Sequence, residues 1–186
     1  MRINVIGTSG SGKTTFGREL ASVLKIPFIE LDAIFWGSDW TEPDDSELFP
    51  KLIAALAGDN WVLDGNYSRT KDIKWERVEA VIWLDFSFPR TVAQAVKRAM
   101  SRIISQEELW SGTGNRESLK KLFSRDSIVL WTIQTYSRRK KRILGYFTTP
   151  ERYQSIIFHR IKSPKHARQF LQSAGRDPSF VLKPSI

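Results

Sequence analysis

The feature that most constrains this chain is the run Gly7-Thr8-Ser9-Gly10-Ser11-Gly12-Lys13-Thr14, set between a strand-like and a helix-like segment. It fits the phosphate-loop pattern G-x-x-x-x-G-K-[ST] at every fixed position. Arg2 to Ile6 before it is a short β-branched run, and Lys13 to Leu24 after it spaces Phe16, Leu20, Val23 and Leu24 as a helix does. A strand feeding a helix through such a loop belongs in a parallel α/β sheet, because a parallel neighbour requires a crossover. The glycines bring backbone N–H groups against a phosphate chain, and the helix N-terminus adds its dipole. Gly7, Thr8, Ser9, Gly10, Ser11, Gly12, Lys13, Thr14 and Thr15 are therefore the candidate ATP-binding residues. Lys13 supplies charge to the β- and γ-phosphates and the Thr14 hydroxyl is a candidate Mg²⁺ ligand.

Further short apolar runs alternate with helical stretches. Ile26 to Leu31, Asn60 to Asp64, Ala80 to Asp85 and Ser155 to Ile161 read as four more strands. Ser46 to Ala57, Pro89 to about Ile104, Ser118 to Ile143 and Lys165 to Ala174 read as helices, and the tail beyond reads as loose. The 33–45 stretch is acidic, aromatic and irregular, and Gln106 to Asn115 reads as an exposed loop. Five strands covered by helices form a parallel sheet whose ligands lie beyond the strand carboxyl ends. Three strands end there in aspartate: Asp32, Asp64 and Asp85.

These acids divide the expected chemistry. Asp64 is a candidate to hold water on Mg²⁺ and Asp85 sits where a Walker B aspartate would, so both are candidate metal residues beside Thr14. Asp32 is placed to accept a proton from an acceptor hydroxyl or to position it. Trp36 offers a stacking surface, and Asn66, Tyr67 and Arg69 follow the third strand as further acceptor-side candidates.

The 186 residues suit one domain, and there is no cysteine, hence no disulfide or thiolate zinc site. No apolar run approaches a membrane span and no signal peptide precedes the first strand, so a cytoplasmic protein is expected. The net charge is +9, and between Lys97 and Arg142 twelve Lys and Arg face four Asp and Glu. That block is read as a phosphate clamp, with nucleic acid as the other possible partner.

The runs Gly7 to Thr15, Ile29 to Ala33 with Trp36, Trp61 to Tyr67, Val81 to Asp85, Asn115 to Glu117 and Ser127 to Trp131 together resemble the P-loop nucleotide kinases of the adenylate kinase group. More closely, they resemble bacterial proteins labelled adenylate kinase-like or DNA topology modulation proteins. The resemblance implies a three-layer P-loop sandwich with strand order 2-3-1-4-5, an acceptor-binding segment at about 32–60 and a helical lid at about 103–138. It assigns Arg98 to the adenine face, Arg102 to phosphate, and Arg138 or Arg139 to an approach from the lid. With Lys13, Asp32 and Asp64, these arginines make up the expected catalytic set. The acceptor stays open between a nucleotide, a nucleoside and another small hydroxyl compound, since Arg69 follows Asp64 by five residues where adenylate kinases use four. The alternative is a nucleotide-switched regulator that binds DNA or RNA through the basic segment.

Overall fold

The computed structural model describes residues 1–106, 108–110, 112–118, 127–148 and 153–184. Five parallel strands, β1 (Arg2–Gly7), β2 (Phe28–Glu30), β3 (Trp61–Asp64), β4 (Ala80–Leu84) and β5 (Ile157–Ile161), lie in the order β2-β3-β1-β4-β5. Registers such as Val5 opposite Asp64 and Ile82, and Ile82 opposite His159, align the strands' carboxyl ends along one edge.

The helices are α1 (Lys13–Leu24), α2 (Leu31–Phe35), α3 (Asp45–Ala55), α4 (Lys71–Glu76), α5 (Phe88–Ser105), α6 (Ile128–Phe147) and α7 (Pro164–Arg176). Strand alternation sorts the core into two clusters. Ile3, Val5, Ile82 and Leu84 pack with Phe16 and Leu20 of α1 and Phe170 of α7 on one side. Ile6, Trp61, Val81 and Trp83 pack with Leu52 of α3, Trp75 of α4 and Ile143 of α6 on the other. A strand buried on both faces reads as a continuous apolar run, which is why β4 is legible in the sequence. Each fully buried large apolar side chain contributes about 1.5–3 kcal/mol.

Several boundaries differ from expectation. Asp32 lies inside the first turn of α2 rather than in a loop, and α4 has no counterpart in the sequence reading. Helix α6 begins at Ile128, where the Ser127 hydroxyl accepts a hydrogen bond from the Leu130 N–H. Of the expected lid, residues 108–110 and 112–118 are not helical, and residues 119–126 lie outside the described residues. The C-terminal tail, expected to be loose, turns at Pro178–Leu182 and buries Val181 completely.

Candidate active site

Gly12 caps α1 with φ of +84°, a left-handed conformation that turns the loop into the helix. Gly10, at φ +78°, also makes room for a neighbouring helix. A Cβ there would lie 2.6 Å from the Thr91 carbonyl oxygen and 2.9 Å from the Ala95 Cβ, so its absence admits α5 to the loop. That contact carries Arg98 in, and its Nη2 donates to Ser9 Oγ at 3.2 Å. Burial, and then neighbouring Arg102, pull the Arg98 pKa down, and its Nε is buried without a hydrogen-bond partner among the described residues. Lys13 donates from Nζ to the Thr8 carbonyl at 3.1 Å. Burial lowers its pKa; Asp64 and Asp32 oppose the shift, while Arg98 and Arg139 add to it. Five charged groups from five segments therefore meet at one loop. Thr8 and Ser11 are buried within the loop, and Thr15 is exposed on the first turn of α1.

Asp64 is 4% exposed and its Oδ2 accepts from the Thr14 hydroxyl at 2.5 Å. Desolvation raises its pKa and Lys13 pulls the other way. Its Oδ1 is buried and has no hydrogen-bond partner among the described residues. An orphaned carboxylate oxygen beside a hydroxyl is an all-oxygen donor set of the kind Mg²⁺ prefers. Because no group of three or more His, Cys, Asp or Glu able to hold a metal occurs among the described residues, the remaining ligands would be water and nucleotide.

After β3, Asn66 donates from Nδ2 to the Gly7 carbonyl at 3.1 Å and accepts from Arg139 Nη1 at 3.5 Å. Arg139 lies over the Trp131 ring at 4.0 Å. Burial and then Arg142 bring its pKa down to about 10. Tyr67 stacks on Phe35 with centroids 4.1 Å apart, and its hydroxyl donates to Asp32 Oδ1 at 2.9 Å. Burial, followed by the Asp32 charge, raises the Tyr67 pKa, so the phenol stays a donor. Trp36 sits in an aromatic cluster with Phe35, Trp40 and Trp110.

Three expected site residues are placed otherwise. Asp85 is held in an ion-pair network. Its Oδ2 accepts from Arg160 at 2.9 and 2.6 Å and its Oδ1 pairs with Lys140 at 2.9 Å, so both oxygens face cations. Arg138 is exposed on α6, and its neighbour Arg139 is the one turned toward the loop. Arg69 donates to the Pro43 carbonyl at 2.9 Å, pairs with Asp45 at 3.5 Å and covers the Phe35 ring, which braces the acceptor segment. Arg102 is half-buried, 4.0 Å from Glu117.

Lys74 was not legible as a site residue. It is 2% exposed and donates to the carbonyls of Gly65 and Tyr67 at 3.4 and 3.2 Å, the backbone that bears Asp64, Asn66 and Tyr67. Burial, then Arg142, lowers its pKa to about 7, with Asp64 opposing. Between about pH 7 and 10.5 the unfolded chain therefore binds more protons than the native one, and stability rises with pH across that window. Thermal unfolding from pH 6.5 to 9 is expected to show Tm rising in the wild type. The rise should be weaker in Lys74→Met, which keeps the Asn4 and Thr70 donors to the same carbonyls.

A glycine loop between β1 and α1, on a parallel sheet of order 2-3-1-4-5 with Thr14 hydrogen-bonded to the acid after β3, decides the architecture. The fold is a parallel α/β sandwich with a phosphate-loop pattern between its first strand and first helix. A shikimate kinase family model matches residues 9–39, from within the loop through α2 and the first turn beyond it. Among solved structures, the chain is similar to a gluconokinase from Sinorhizobium meliloti 1021. The two are 18% identical with a TM-score of 0.49, over 96% of this chain and 95% of the other. No curated protein sequence matches the chain.

Proposed function

We propose that the protein is an ATP-dependent kinase that phosphorylates a small hydroxyl-bearing acceptor. The observation that carries this reading is the convergence of Lys13, Arg98 and Arg139 with Asp32 and Asp64 on one loop. Bound Mg²⁺ and ATP would supply the γ-phosphoryl group and shield its charge, held by Thr14 through its hydroxyl and by Asp64 through metal-bound water. The chain's own residues do the rest. Lys13 and the loop amides would orient the phosphates, and Arg98, bonded to Ser9, would meet the nucleotide from that side. Arg139 enters opposite, braced by Asn66, to meet charge developing on the migrating group. Asp32, held by Tyr67, takes the acceptor hydroxyl proton. The acceptor oxygen bonds to the γ-phosphorus as the bond to the bridging oxygen breaks, leaving ADP.

An adenylate kinase-like reaction on a nucleoside or nucleotide is the finer form of this reading, and a non-nucleotide alcohol is its neighbour. The basic stretch divides between the kinase and the nucleic-acid regulator. Of Arg138 to Arg142, Arg139 turns inward and Lys140 pairs with Asp85, as the kinase reading needs, while Arg138, Lys141 and Arg142 are exposed on α6. Among the described residues no helix is long and apolar enough to cross a membrane.

The deciding experiment incubates the protein with Mg-ATP and a panel of nucleoside monophosphates, nucleosides, shikimate, gluconate and simple polyols, following ADP release and the phosphorylated product. Acceptor-dependent ADP is expected for at least one class. Salt-sensitive DNA binding with no transfer to any acceptor would support the regulator instead.

A further inference from the structure

The segment around Trp110 and Asn115 falls within the stretch expected to cover the nucleotide, yet its contacts run to the acceptor side. Asn115 is 2% exposed and spends both ends of its amide on one turn. Its Nδ2 donates to the Gly37 carbonyl at 2.9 Å and its Oδ1 accepts from the Trp40 N–H at 3.0 Å. That turn, Ser38–Trp40, holds Asp39 at φ +53° and Trp40 at φ +61°. A bulky residue in the left-handed region is costly and persists only where its surroundings impose it. Here the imposing group comes from 75 residues away.

Trp110 completes the arrangement. Its ring lies nearly parallel to Trp36, 20° apart in plane with centroids 6.4 Å apart, and edge-on to Trp40 at 5.7 Å. Its Nε1 donates to Glu30 Oε1 at 3.3 Å, one residue before α2. Trp36 also reaches the acceptor acid through packing: its ring meets Phe35 edge-on at 5.0 Å, Phe35 stacks on Tyr67, and Tyr67 donates to Asp32. The pose of the three indoles is thus linked through Tyr67 to the carboxylate that would receive the acceptor proton. Arg102 and Glu117 tie the same segment to α5.

We propose that Asn115 and Trp110 are specificity-determining residues: they form the wall of the acceptor compartment and select the acceptor that reaches Asp32. This rests on the kinase reading. Aromatic walls beside a carboxylate suit a hydroxyl compound that presents a flat ring face, a sugar or a base, to the indoles. The two residues position rather than react, and the nucleotide site should not feel their loss.

Asn115→Ala and, as the milder change, Trp110→Phe test this. Nucleotide affinity is measured with a fluorescent methylanthraniloyl-ATP and no acceptor, and acceptor KM on the same panel as the wild type. For Asn115→Ala the expected result is nucleotide affinity unchanged within about twofold, a KM for the best wild-type acceptor raised about tenfold or more, and a changed order of preference across the panel. Trp110→Phe, which keeps an aromatic ring but loses the bond to Glu30, should shift the order without loss of Tm. Wild-type acceptor KM values in both variants overturn the inference, as does a parallel loss of nucleotide affinity. A panel on which the wild type itself transfers nothing sinks the kinase reading, and acceptor selection with it. Those results are distinct.

Discussion

Lys13→Ala is expected to lower kcat by about a thousandfold while leaving the fold intact, measured by steady-state ADP release alongside thermal unfolding. The ammonium is the one cation inside the loop's own turn, donating to the Thr8 carbonyl, and no other side chain occupies its place. Stability should not fall with it, because desolvation of that charge is a cost the native state carries. The same burial predicts a pH effect. Lys13 must be protonated to act, and its pKa in the free protein lies below the ordinary 10.5. The alkaline limb of kcat/KM, which reports the free enzyme, should therefore fall below that value. A Lys13→Ala protein with wild-type turnover would remove the assigned site altogether.

Asp32→Asn is expected to cost about 10²- to 10⁴-fold in kcat, the usual contribution of a positioned general base. The amide oxygen still accepts from the Tyr67 hydroxyl, so the ring stack on Phe35 and the local packing should survive. What disappears is the ability to take a proton. Binding of methylanthraniloyl-ATP should stay within about twofold, since Thr14, Asp64 and Arg98 are untouched. Loss of nucleotide binding in this variant would place Asp32 on the donor side and contradict the assignment.

The donor half of the site is legible because it is local. Gly7 to Thr14 is one continuous segment, and its flanking strand and helix follow from apolar spacing alone. Asp64 is legible for a related reason, as the end of a strand whose run is unmistakable. Asp85 presents the same local signature, but its ion pairs are not legible there. Its partners, Arg160 from β5 and Lys140 from α6, lie 75 and 55 positions away, and nothing near β4 announces them. Helix α4 escapes notice because six residues are too few to show a period. Lys74 within it reads as a surface lysine until the turn it supports is seen. Position within α6 tells Arg138 from Arg139, and a run of basic residues hides that difference. The acceptor side is least legible, since Asn115, Trp110 and Trp40 come together only through the tertiary fold.

Helix α6 carries a constraint of phase. Thr132, Thr135, Tyr136 and Ile143 are buried on the face that also turns Arg139 inward, while the next residue, Lys140, meets Asp85. Each residue advances an α-helix by about 100°. Deleting one residue ahead of Arg139 would rotate that arginine away from Asn66 and carry Lys140 off Asp85 in the same movement. Descendants of this chain can therefore vary exposed α6 residues such as Ile133 and Gln134, but between Thr132 and Ile143 they cannot vary their number.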